Sequence, residues 1–122
     1  MEKQVINSYK DLIVWQKAMD LVVAVYKLTD KFPREEAYGL TSQMRRSSIS
    51  IPSNIAEGRR RGTRREYRHF LIVAYSSGAE LETQLEIAKR LNFSEDIVYN
   101  VAADLLEEIM KILNSMTSSL YV

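Results

Sequence analysis

Apolar residues between Leu12 and Phe32 recur every three or four positions, and only an α-helix gathers that spacing onto one side. Trp15, Met19, Val22 and Tyr26 form one row and Val14, Ala18, Leu21, Val25 and Leu28 the adjacent row. Gln16, Lys17, Asp20, Lys27 and Lys31 fall opposite. The pattern predicts a long amphipathic helix opened by Asp11 as N-cap. It ends before Phe32-Pro33, because a residue preceding proline is pushed out of helical geometry. Four glycines and two prolines in 122 residues leave too little turn material for a β-sandwich or a disordered linker.

The same periodicity returns downstream. A second helix is expected from near Thr41 to Glu57-Gly58, with Leu40, Met44, Ser48, Ile51 and Ile55 on one face. Pro52 lies inside it and removes a backbone donor while crowding the Ser48 carbonyl, so a kink or local loosening is expected. Ser47, Ser48, Ser50 and Ser53 could satisfy freed backbone groups and let a neighbouring helix come close. After the turn Arg59-Arg60-Arg61-Gly62, Thr63-Arg64-Arg65-Glu66 has the capping-box pattern and starts a third helix. Its core stripe is Tyr67, Phe70, Leu71, Ala74, Gly78, Leu81, Leu85 and Ala88. A second set, Ile72, Val73, Ser76, Ala79, Thr83 and Ile87, clusters on the far side and is the expected subunit interface, since a helix apolar on two sides needs two partners. Ser94 reads as the N-cap of a fourth helix, with Glu95 and Asp96 beside the positive end of its dipole. Its core row is Val98, Val101, Leu105, Ile109, Ile112 and Met116. Short connections predict an all-α, antiparallel up-down-up-down four-helix bundle, one domain over residues 1–122 with its core at about 8–118.

The absence of cysteine excludes disulfides, thiol nucleophiles and cysteine-bound metal, and fits a cytoplasmic setting. No apolar run is longer than that from Leu21 to Tyr26, which is too short to cross a membrane, and no secretory signal is expected. The overall charge of +1 is uninformative, but its distribution is not. Eight arginines against Glu57 and Glu66 give residues 45–68 a local net of +6, while residues 80–111 carry a net of −5. Arginine offers a planar fork suited to phosphate. The patch also reads as a solvated turn, or as a partner for the acidic stretch.

Catalytic patterns are missing. His69 is the single histidine, without the further ligands a metal needs. The serines near Ser48 have no lysine or histidine placed beside them by sequence and no nucleophile-elbow glycines. Phosphate-cradling glycine loops are absent, and neither a cofactor nor an enzymatic activity is expected. Trp15, Tyr67 and Phe70 read as core residues.

Three segments carry a family likeness: Asp11-Leu12-Ile13-Val14-Trp15-Gln16-Lys17-Ala18, Gln43 through Gly58 with its Ser-Ile-Pro-Ser-Asn-Ile-Ala-Glu-Gly run, and Glu80-Leu81-Glu82-Thr83-Gln84-Leu85. The chain resembles the proteins encoded in intervening sequences of bacterial 23S ribosomal RNA genes, also called the S23 ribosomal protein family. The resemblance implies a four-helix bundle assembling as a ring, a homopentamer, with a link to ribosomal RNA or other nucleic acid and no catalysis. Arg45, Arg46, Asn54 and Glu57 stand at matching motif positions. The expected phosphate contacts are Arg59, Arg60, Arg61, Arg64 and Arg65, with Arg45, Arg46 and Arg68 as flanking or interface groups. The rival expectation is an oligomeric scaffold that binds another protein and no nucleic acid.

Overall fold

The computed structural model describes residues 8–120. Helices α1 (Ile13–Thr29), α2 (Leu40–Arg60), α3 (Arg64–Arg90) and α4 (Asp96–Ser119) form an antiparallel four-helix bundle, as the periodicity predicts. Short 3₁₀ turns at Tyr9–Asp11 and Arg34–Glu36 precede α1 and α2. α1 packs against α2 and α4, and α3 packs against α2 and α4, so α1 and α3 lie on one diagonal. The core runs the length of the bundle through Leu21, Leu28, Met44, Ile51, Ile55, Leu71, Leu81, Leu106, Ile109 and Leu113. Among the described residues, no helix is long and apolar enough to cross a membrane.

Several boundaries depart from the sequence reading. Asp11 does not cap α1. It closes the 3₁₀ turn, and Leu12, with extended backbone, occupies the cap position without a side-chain hydrogen bond. At α4 the cap position falls on Glu95 rather than Ser94. α2 ends two residues beyond Gly58, so Arg59 and Arg60 belong to its last turn. The two glycines there do different work. A Cβ on Gly58 would come 2.7 Å from the Phe70 Cβ, so this glycine is a close-approach point between α2 and α3. Gly62, at φ +87°, is the residue that leaves the helix in a left-handed conformation. α2 also runs as uninterrupted helix through Pro52. The serine hydroxyls bond further up the helix, Ser47 to the Gln43 carbonyl and Ser48 to the Arg45 carbonyl, rather than to the Ser48 carbonyl, which Pro52 deprives of its i+4 donor.

The face of α4 turned inward is rotated from the predicted one, of which Ile109 is fully buried. Ala102, Leu106, Ile109, Met110 and Leu113 are buried. Val101 is 54% exposed, while Val98, Leu105, Ile112 and Met116 lie at the core margin. The α3 contact decides this. A Cβ on Gly78 would collide with the Met110 sulfur, so that glycine opens a slot for Met110, and Ala102 adds a small residue to the same face.

Two further devices hold the bundle in register. Between α2 and α3, the Ser47 hydroxyl lies 2.9 Å from Gln84 Oε1 and shares its single proton between that oxygen and the Gln43 carbonyl, and the Ser50 and Ser77 hydroxyls share a 2.8 Å hydrogen bond. Gln84, 5% exposed, is a buried polar residue that the stripe of apolar positions does not reveal. At the end of α3, Asn92 adopts φ 55°, its N–H donates to the Lys89 carbonyl and the Phe93 N–H to the Ala88 carbonyl. This is a Schellman closure with asparagine in the left-handed position. It carries Phe93 onto Phe32, ring centroids 5.4 Å apart.

Candidate nucleic-acid interface

The antiparallel topology brings the end of α2, the start of α3, the end of α4 and the 3₁₀ turn before α1 to one end of the bundle. The connection from α2 to α3 is only Arg61-Gly62-Thr63, and the Thr63 hydroxyl accepts the Glu66 N–H at 3.2 Å. That is the threonine half of the predicted capping box, while the Glu66 carboxylate turns to Arg61 rather than back to the Thr63 N–H. Six of the eight arginines, Arg59, Arg60, Arg61, Arg64, Arg65 and Arg68, gather at this end. Arg45 and Arg46 do not. They lie about 20 Å away along α2 at 1.5 Å per residue.

The arginines have different occupations. Arg45 sits 4.3 Å from the Tyr26 ring centroid, and its Nε donates to the Thr29 hydroxyl at 2.9 Å, bracing the end of α1. Arg46 lines a polar cleft between α2 and α3 with Gln43, Ser47, Ser50, Ser77 and Glu80. Arg64 donates to the Ser119 carbonyl at 3.1 Å and Arg68 to the Thr117 carbonyl at 3.0 Å. The last turn of α4 has no basic residue of its own, so these two serve its exposed carbonyls from α3. Arg61 pairs with Glu57 at 2.7 Å and reaches Glu66 at 4.0 Å.

Arg59, Arg60 and Arg65 are exposed and make no ion pair or hydrogen bond among the described residues. The acidic stretch does not neutralise them. Glu86 pairs with Arg90, Glu107 with Lys111 and Glu108 with Lys17. Excess positive charge therefore stays at the arginine end, with guanidinium donors facing solvent.

Three of these arginines lie over aromatic rings: Arg59 over Tyr67 at 5.9 Å, Arg60 over Tyr9 at 5.5 Å and Arg61 over Phe70 at 5.0 Å. Such distances are within cation–π range. Tyr67 and Phe70, read from sequence as core, are half-buried and present their rings to this end. Burial pushes the Tyr67 phenol above the ordinary tyrosine range, and Arg59 pulls it part of the way back, so the phenol is neutral at physiological pH. Tyr9 had no local signal, since about fifty residues separate it from Arg60 and only the packing of the first turn against α2 joins them.

The positions expected at a subunit interface form the outer side of α3. Ile72 (39%) and Ile87 (43%) are exposed, as are Ser76, Ala79 and Thr83, and Val73 is half-buried. His69 is exposed and meets Phe70 edge-on at 5.3 Å. Among the described residues no group of three or more His, Cys, Asp or Glu side chains could hold a metal.

The family model for the 23S rRNA-intervening sequence protein matches residues 10–115. Among solved structures, a protein with unknown function from the S23 ribosomal protein family of Bacteroides thetaiotaomicron is similar, with 25% identity and a TM-score of 0.79. The match covers 86% of this chain and 98% of that one. No curated protein matches the sequence.

Proposed function

The chain belongs to the 23S rRNA-intervening sequence protein family, and from that premise we propose that it is a non-enzymatic, cytoplasmic, self-associating protein that binds RNA phosphates through the arginine end. The observation that carries this reading is the state of Arg59, Arg60 and Arg65: clustered, exposed, and without a carboxylate partner among the described residues. Arg61 joins them when a phosphate competes for its pairing with Glu57, an exposed contact of the kind worth little in water. Arg64 and Arg68 contribute positive potential from their places against α4. Arg45 and Arg46 lie outside this group.

Self-association uses the outer side of α3, from Ile72 to Ile87. That side lies diagonally opposite α1, so two copies related by a rotation can meet through different surfaces and close into a ring, a homopentamer in this proposal. Parallel bundles would then set their arginine ends on one rim, where several weak phosphate contacts add into avidity.

The test is RNA affinity against salt for the native protein and for the variant with Arg59, Arg60 and Arg61 all changed to alanine, once light scattering has verified equal assembly of both. Steep salt dependence that becomes shallower in the variant, by about one unit of log–log slope per lost phosphate contact, supports the reading. Native binding that is absent at physiological salt moves the assignment to a protein-binding scaffold. Binding unchanged in the variant refutes the assignment of these arginines.

A further inference from the structure

The phosphate reading leaves open which form of RNA is taken, duplex or single strand. Resting on that reading, we infer that the arginine end takes unpaired bases, and so prefers single-stranded RNA, because Arg59 and Arg60, two of its exposed uncommitted arginines, are mounted on aromatic rings. Attraction to phosphate requires charge and donors but no ring. Arg64 and Arg68 are held at the same end through backbone carbonyls. Arg59 and Arg60 instead lie over Tyr67 and Tyr9, and make no hydrogen bond among the described residues that would hold them there. A guanidinium over a ring is a flat, delocalised surface on which a base stacks; if the guanidinium swings to a phosphate, the ring beneath is uncovered for the base. Either arrangement satisfies phosphate and base within one nucleotide. A duplex offers its phosphates but keeps its base faces stacked inside, so it uses only half of this surface.

Tyr9 provides a direct probe. Its ring meets Trp15 edge-on with centroids 5.4 Å apart, and Trp15 is the single tryptophan of the chain. A base arriving at the Tyr9–Arg60 pair therefore changes the surroundings of the only indole. The experiment titrates the full-length protein with an unstructured RNA strand of about twelve nucleotides, within the span of usual single-strand sites, and separately with a duplex of that length. Anisotropy of labelled RNA reads binding, and Trp15 emission reads stacking.

The strand is expected to bind about tenfold more tightly than the duplex and to shift Trp15 emission, while the duplex binds without the shift. Tyr9→Leu should remove the emission change and lower strand affinity about tenfold, in line with the loss of one stacked base, with duplex affinity unchanged. Tyr9→Phe keeps the ring and should behave as native; if it behaves as Tyr9→Leu, the ring is not the agent and the inference fails. Equal affinity for strand and duplex also overturns it, yet leaves the phosphate reading intact. No binding of either form at any salt concentration defeats the phosphate reading itself.

Discussion

The two ends of the bundle place arginine over tyrosine in the same way and put it to different use. At the far end Arg45 lies 4.3 Å from the Tyr26 centroid with its Nε committed to the Thr29 hydroxyl, which itself donates to the Val25 carbonyl at 2.8 Å. Ring, guanidinium, hydroxyl and helix end form a closed chain of contacts. At the near end Arg60 lies 5.5 Å from Tyr9 and Arg59 5.9 Å from Tyr67, and neither makes a hydrogen bond among the described residues. Stacking alone does not tell a brace from a binding group; the state of the hydrogen-bond donors does. Arg45 stands in the family-like motif and serves the fold, whereas Arg59 and Arg60, just past the motif, carry donors that no described residue accepts.

Substitutions sharpen the contrast in order of size. Arg45→Ala removes a charged hydrogen bond and a ring contact, and should cost about 2 kcal/mol in urea unfolding while leaving RNA affinity unaltered. Replacing Arg64 and Arg68 together with alanine should cost about 1 kcal/mol and speed hydrogen exchange in the last turn of α4, whose carbonyls lose their donors. Replacing Arg59 and Arg60 together should change stability by less than about 0.5 kcal/mol, as expected for exposed side chains, while weakening RNA binding. A stability loss there as large as that of Arg45→Ala would erase the distinction between the ends.

The smallest effect is a titration. Because folding raises the Tyr67 pKa, the unfolded chain ionises this phenol first, so its contribution to stability is complete below the ordinary tyrosine value of 10.0 and is lost as pH rises through the folded value. Arg59→Ala takes away the opposing charge and should move the Tyr67 ionisation higher still, as followed by phenolate absorbance against a Tyr67→Phe control.

Much of this architecture was legible because the apolar rows of α1 and α2 each have a polar opposite side, because α3 repeats a long apolar stripe from Leu71 to Ala88, and because Thr63 and Glu66 spell out a helix start. α4 was harder. Ile97, Val98, Val101, Leu105, Leu106, Ile109, Met110, Ile112 and Leu113 wrap around much of its surface, so periodicity alone does not choose the inner side. Gly78 on another helix chooses it, by admitting Met110. Gly58 misled as a terminator because a glycine near the end of a helix has two physical uses, and only the neighbour Phe70 tells which applies. The arginine cluster was visible as charge. Its division into bracing and uncommitted members was not, since Arg64, Arg68 and Arg60 meet partners supplied by distant parts of the chain.

The serine and glutamine contacts between α2 and α3 act as a detent. Sliding one helix past the other by a turn, about 5.4 Å, would part Ser47 from Gln84 and Ser50 from Ser77, and would strand polar groups in a tight seam. The same slide would carry Arg59 off Tyr67 and Arg61 off Phe70. Mid-bundle hydroxyls that touch no ligand thus hold the alignment of a surface about 13 Å farther along α2, the rise over nine residues. Altering them would spoil that surface by misregistration, with every arginine still in place.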